Sequence, residues 1–557
     1  MTSDRDSLAV RPSKAGSGQW LALALLLVLV QTLPSLSYPI GRDQATYCVI
    51  GRGLMHGATL YHDLWDNKPP GIFYIYAFIV RICGKAMWSI GLLDILWLLA
   101  ISFCIFRFTE RHLGKAAAFL AVQINAAMHI RAGYWDAGQP ETFLMLFVFV
   151  SYFLISDRGN RRAFKAACSG ALFGAAFWIK YNAVTFAPFL LLSPYFQNAG
   201  PRTSEQALNA GFDLRKETMR TVWFAAGFFL TSAILVLGLL FSGAWNGFLE
   251  EQFRVLPRYA ATAFPASPHY WTWIAGQIQT WLGFWTLAAA PAAFVMAWRR
   301  RQLALLASVL MGAAGGFTAL AVQMRYQPYY FETCYPFFAV LWAYLAVQLF
   351  DGARLLAGYF ADRRWQAARV LMWVAFANLI AICLPGPVMR LVVNYKAFNA
   401  WRHDPAHFYS NYTWPGAAED FRDVLRVVDY LKRDPDTAAG VYVWGNEPLI
   451  YYLSGHQPPA RFVWNLPLIA PWGLHGWRQE LIKRLSQSAP HYIVVARDDE
   501  IYDLSGTYQA SRHVLQSFPA LAHYIQTSYR PCADEAAFEI YCRSRDKAAG
   551  SSARSPS

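Results

Sequence analysis

Apolar positions in this chain gather into long runs. Leu21 to Val30 is unbroken, and several later stretches approach the roughly 20 residues a helix needs to cross a bilayer. The runs predict spans over 18–36, 87–106, 116–130, 140–156, 166–180, 182–197, 221–242, 276–297, 303–323, 329–349 and 370–390, about eleven in all. Beyond Asp404 the pattern changes. Apolar runs shorten to strand length, as in Gly440–Trp444 and His491–Ala496, and alternate with amphipathic stretches such as Glu419–Lys432 and Trp477–Gln487. That alternation predicts a small α/β domain over 391–546, following a helical membrane domain over 18–390. Residues 1–17 read as a cytoplasmic segment and 547–557, rich in Ser, Ala and Gly, as a disordered tail. Leu33–Tyr38 offers no small-residue cleavage site, so the first span reads as a retained anchor. No internal repeat of fixed period is present.

Composition agrees with that class. Of 557 residues, 56% are hydrophobic and only 15% charged, far from a soluble balance. Basic residues cluster at Arg107/Arg111/Lys115, Arg158/Arg161/Arg162/Lys165, Arg215/Lys216/Arg220, Arg299/Arg300/Arg301 and Arg354/Arg363/Arg364/Arg369. With the amino terminus inside, every cluster falls on the cytoplasmic side, as positive-inside sorting requires. The net charge of +14 is thus mostly topological, and the basic residues are not gathered on one soluble face as nucleic acid would need. The same alternation puts the loop 37–70, the loop 243–275 and everything after 391 outside the membrane. Cys532 and Cys542 fall in the outer domain at a spacing that suits a cross-hairpin disulfide. Cys83, Cys104, Cys168, Cys334 and Cys383, in or near apolar spans, read as small core residues. His403 and His407 stand four apart, but Pro405 between them argues against a helical zinc site. No metal ligand set is predicted.

The chemistry concentrates in the first outer loop. It runs from Ile40-Gly-Arg-Asp43 to Asp63-Leu-Trp-Asp66-Asn67-Lys68-Pro69-Pro70. A carboxylate and an ammonium at a bilayer surface can deprotonate an acceptor and hold a lipid-linked phosphate. The plainer alternative is a solvated loop whose charges keep it out of lipid. Short outer turns add Asp136, Glu141, Lys180, Arg325 and Tyr326. Ionisable groups at membrane depth are costly, which favours a functional reading; for Lys180 the alternative is a lysine snorkelling from a helix end. Gly445-Asn-Glu-Pro448 reads either as a ligand-binding loop or as a plain strand–helix turn.

These segments carry a resemblance. Asp43 after the first span, Tyr61-His-Asp63-Leu-Trp-Asp66 and Asn67-Lys68-Pro69-Pro70 resemble the first outer loop of the membrane-embedded GT-C glycosyltransferases. The bacterial branch with aminoarabinose lipid A transferases, protein mannosyltransferases and lipopolysaccharide-core Rgt-type transferases is the nearest in pattern. Gly138–Phe143 is similar to that family's second acidic position, and Arg325-Tyr326-Gln-Pro-Tyr329-Tyr330 to its aromatic-proline segment. The likeness covers roughly residues 15–350. It implies transfer of a sugar from a polyprenyl-phosphate donor to a lipid, glycan or protein acceptor at the outer face. It also implies Asp43 and Glu141 as catalytic carboxylates, Lys68 and Arg325 at the donor phosphate, and Asp66, Asp136, Lys180 and Tyr326 at substrate. No cofactor is indicated: some relatives carry an acidic residue before the lysine that can help bind a divalent metal, whereas this chain has Asn67. A transporter or flippase of lipid-linked saccharide is the competing class, but the paired broken helices of two related halves are not evident. A non-catalytic assembly protein would account for the outer domain but not for Asp43 with Lys68.

Overall fold

The structure, a computed structural model, describes residues 16–131, 133–135, 137–156, 161–198, 214–261, 268–283, 293, 303–359, 370, 385–412, 421–433, 440–500, 508–535 and 537–544. Packing divides the chain into two compact units. One comprises Met1–Tyr38, Ile90–Leu235 and Ala266–Asn399; the other comprises Pro39–Ser89, Val236–Pro265 and Ala400–Ser557.

The first unit is helical. Ser17–Ser37, Ser89–Leu113 and Arg215–Phe241 are long and apolar enough to cross a membrane, and Pro140–Ser156, Tyr181–Leu192, Leu305–Ala321 and Tyr335–Asp351 are shorter apolar helices. The protein is therefore a polytopic helical membrane protein. Phe229, Leu230 and Ile234 on Leu214–Phe241 remain largely exposed, as residues facing lipid do. Small residues let helices meet closely where hydrophobic burial cannot drive them together. A Cβ on Gly170 would stand 1.8 Å from the Phe224 carbonyl, and one on Gly227 1.9 Å from that of Ala167. Most of the expected spans 276–297 and 370–390 lie outside the described residues.

The second unit contains the sheet. Strands β1 (Val441–Trp444), β2 (Tyr492–Ala496), β3 (Tyr529–Glu535) and β4 (Phe538–Arg543) lie in the order β1-β2-β4-β3. β1 and β2 are parallel and buried throughout, which is why both read as continuous apolar runs. β4 pairs antiparallel with β2 and with β3, and Cys532 and Cys542 are joined across the β3–β4 hairpin. Helix Phe421–Lys432 buries Phe421, Val424, Val427, Val428 and Leu431 along one stripe.

Two boundaries differ from expectation. The expected division at 390/391 falls inside the helix Pro385–His403, and the first outer loop, expected within the membrane domain, packs with the α/β sheet. The reason is aromatic. Trp65, fully buried, stacks on Trp472 with ring centroids 6.3 Å apart and meets Trp477 edge-on at 5.0 Å. The apolar stretch after Pro70 forms the 13-residue helix Gly71–Cys83, at about 1.5 Å per residue too short to span a bilayer.

Candidate functional site

In the second unit, Asp43 sits in the first turn of the helix Arg42–Met55, where the helix dipole favours a carboxylate, and is half-buried. The return limb of the loop is held in an uncommon shape. Tyr61 has φ of +63°, and its amide donates to the Leu64 carbonyl (2.7 Å). Asp63 orders the turn before it, accepting the Thr59 amide at 2.8 Å and pairing with His62. Burial pushes its carboxyl up, but the Thr59 amide and His62 outweigh that and hold it below the usual range.

Asp66 differs. It is 2% exposed and accepts the amide of Asn67 at 2.5 Å. Burial pushes its carboxyl up to about 6, against the nearby Lys68 ammonium and with the Asp43 charge adding to the rise. The Tyr61 hydroxyl donates to the Lys68 carbonyl (2.8 Å), fixing the backbone from which the lysine projects. Lys68 Nζ in turn donates to Asn67 Oδ1 at 3.0 Å. An oxygen already facing an ammonium is a poor divalent-ion ligand, and among the described residues no His/Cys/Asp/Glu group of three fits a metal. Pro69 and Pro70 then turn the chain into the helix Gly71–Cys83. Glu251, on the π-helical turn Glu251–Val255 and fully buried, joins this cluster; burial and the charge of Asp66 raise its carboxyl well above the usual range.

The first unit holds the other expected residues. Glu141, in the first turn of Pro140–Ser156 and fully buried, pairs with Lys180. Lys180 occupies an extended position where the helix Arg162–Ile179 ends, and its ammonium lies 4.1 Å from the centre of the Tyr330 ring. A lysine held in that way is not snorkelling. Arg325 and Tyr326 are buried on the irregular segment before Pro328–Thr333, with Tyr326 at φ of +36°. Asp136 lies outside the described residues.

A buried triad, absent from the expectation, lies in the same unit. His129 Nε2 is 2.8 Å from Asp94 Oδ2 and Nδ1 is 2.7 Å from Glu332 Oε1, while Asp94 Oδ1 accepts the Gly138 amide at 2.8 Å. The network ties Ser89–Leu113, Lys115–His129 and Pro328–Thr333 to the turn that leads into Glu141. A lone Asp94 inside an apolar span was the signal that could have found it.

The arrangement of helices and sheet has known counterparts. The crystal structure of ArnT from Cupriavidus metallidurans bound to undecaprenyl phosphate aligns over 94% of this chain and 98% of that one, with 15% identity and a TM-score of 0.58. The chain has the GT-C fold. The apo structure of ArnT from the same organism aligns over 94% of this chain and 98% of that one, with 15% identity and a TM-score of 0.52. The archaeal oligosaccharyltransferase AglB from Archaeoglobus fulgidus, in complex with an inhibitory peptide and a dolichol-phosphate, gives 13% identity and a TM-score of 0.47 over 95% of this chain and 75% of its own. Residues 67–204 match the family model described as dolichyl-phosphate-mannose-protein mannosyltransferase. That match begins one residue before Lys68 and includes Glu141 and Lys180. No curated protein matches the sequence.

Proposed function

We propose that this GT-C protein transfers a sugar from a polyprenyl-phosphate donor to a lipid, glycan or protein acceptor at the outer face of the bacterial inner membrane. The observation that carries the reading is the first outer loop, which brings Asp43, Asp66 and Lys68 into one electrostatic cluster on a GT-C fold. Asp43 takes the proton of the acceptor hydroxyl as its oxygen attacks the anomeric carbon. The bond from that carbon to the phosphate oxygen breaks, and the polyprenyl phosphate leaves with its charge stabilised by Lys68. The same reading gives Glu141 the orientation of the acceptor and Arg325 a share of the donor phosphate. Asp66, Asp136, Lys180 and Tyr326 then make substrate contacts. The undecaprenyl phosphate bound to ArnT from Cupriavidus metallidurans supports the donor class.

The test uses membranes containing the full chain, given undecaprenyl-phosphate sugars labelled in a hexose or a pentose. Label should pass into lipid or glycan, and Asp43→Asn should lower that rate by about a hundredfold or more. Lys68→Ala should weaken both undecaprenyl-phosphate binding and turnover, because the charge faces the phosphate in ground and transition states alike. If Asp43→Asn, folded in the membrane, transfers label at the parent rate, the base is another group and Glu141 becomes the candidate.

A further inference from the structure

Within the second unit, the helix that carries Asp43 is held at both ends by the segment that follows β1. At its start, Arg42 Nε lies 2.6 Å from Glu447 Oε1, and Glu447 is 2% exposed. At its far end Arg52, also buried, donates to the carbonyls of Tyr451 and Tyr452 at 3.2 Å and to that of His456. The Tyr451 and Tyr452 carbonyls belong to the last turn of the helix Leu449–Ser454, whose negative end suits a guanidinium. The return limb of the first loop is held by the same domain. The Trp65 amide donates to the Arg461 carbonyl (2.8 Å), Arg461 Nη1 donates to the Tyr61 carbonyl (3.1 Å), and the Tyr452 hydroxyl donates to Gly84 (2.7 Å).

We propose that Glu447 is a positioning residue, which through Arg42 fixes the first turn of the helix Arg42–Met55 and so the aim of Asp43. The α/β domain then forms part of the catalytic apparatus and is more than a platform that presents acceptor. The proposal rests on the reading of Asp43 as base.

Local structure explains why the turn needs an anchor. Among the described residues no side-chain cap bonds the helix at Gly41, so its first amides depend on their surroundings and the turn would fray if left alone. Asp43 follows Arg42 by about 100° around the helix axis, so a first turn that unwinds or rotates carries the carboxylate away. The anchor is stiff because it is buried. Among the described residues Glu447 Oε2 has no hydrogen-bond partner, so the carboxylate depends on the guanidinium to offset its desolvation. Glu447→Gln removes that attraction and leaves Arg42, itself largely enclosed, facing a neutral amide.

The experiment measures three quantities on the full chain in lipid nanodiscs: hydrogen exchange across residues 42–47, binding of undecaprenyl phosphate, and turnover of the labelled undecaprenyl-phosphate sugar that the parent accepts. Glu447→Gln should raise exchange in that turn at least tenfold and lower turnover at least tenfold, with the undecaprenyl-phosphate Kd within twofold of the parent. Glu447→Asp, which keeps the charge, should recover part of both changes. Should Glu447→Gln fail to reach the membrane, Arg42→Lys serves instead, since it keeps a cation but loses the Nε donor and should give the same pattern. Parent-like exchange, or parent-like turnover despite raised exchange, overturns the proposal. A loss of undecaprenyl-phosphate binding equal to the loss of turnover also overturns it, because the residue would then act on donor affinity. Failure of the base assignment is separately visible as an active Asp43→Asn enzyme, whereas exchange reads the anchor whatever the identity of the base.

Discussion

Asp66 sits in the first loop between two opposed influences. Burial and the Asp43 charge favour its neutral form, Lys68 favours its anion, and its carboxyl rests at about 6. An aspartate in the unfolded chain ionises near 4. Between those values the folded protein holds more protons than the unfolded one. Stability should therefore fall as pH rises from about 4 to about 6, by roughly 2–3 kcal/mol from this residue, and remain at the lower level above that. Asp66→Asn should flatten that slope in thermal unfolding of the purified chain between pH 4 and 7, and parallel curves for parent and variant would refute the assignment. The gathering of Asp43, Asp66 and Lys68 in one loop was legible because a polar, proline-ended segment interrupts two apolar runs. Glu251 and Glu447 were not, since each meets the loop from a segment far along the chain. The triad was hidden for the same reason: His129 lies 35 residues from Asp94 and 203 from Glu332, separations at which no local pattern survives.

Helices and strands show where local pattern suffices and where packing decides. Most described helices of the first unit lie where apolar runs fall, because in lipid each backbone amide must be satisfied within its own segment. Their charged ends follow a different logic. Lys180 ends one helix and Glu141 begins another, and the two satisfy each other. His129, at the end of Lys115–His129, joins two carboxylates from two further elements. His129→Ala should leave Asp94 and Glu332 buried together without the imidazole, at a cost of about 3–5 kcal/mol, seen as a lower thermal midpoint. Combining it with Asp94→Asn and Glu332→Gln removes the stranded charges and should restore part of that midpoint. A triple variant no more stable than His129→Ala alone would show that packing, not charge, sets the cost. In the second unit, patterning found β1 and β2, but it could not reveal that the sheet's own loops enclose Trp65. Aromatic residues spread over 400 positions carry no mark of their shared pocket.

At the scale of the molecule, packing constrains topology without a count of spans. Pro39–Ser89, Val236–Pro265 and Ala400–Ser557 form one compact unit, so all three must lie on the same aqueous side of the membrane. The chain must therefore cross an even number of times between the first and second segments, and again between the second and third. The apolar runs predict six spans in the first interval and four in the second, so the parity is met in both. The helix Gly71–Cys83, inside the first segment, must not cross, and its 13 residues are too few to do so. A crossing by the helix that begins at Ser17 would add one more, so the parity argument predicts that a reporter at the amino terminus and one in this unit give opposite sides. Basic-residue sorting supplies the proposed direction: with the five clusters inside, the unit with Asp43, Lys68 and the α/β sheet is expected outside. Alkaline phosphatase fused at residue 434 should be active and at residue 300 inactive, with green fluorescent protein giving the reverse. A fusion at residue 58, in the first loop, should match the one at 434. If 58 and 434 report opposite sides, the compact unit cannot exist as described, and the anchoring of Arg42 by Glu447 falls with it. If both report inside, the unit survives, but an outer-face lipid-linked donor could not reach Lys68.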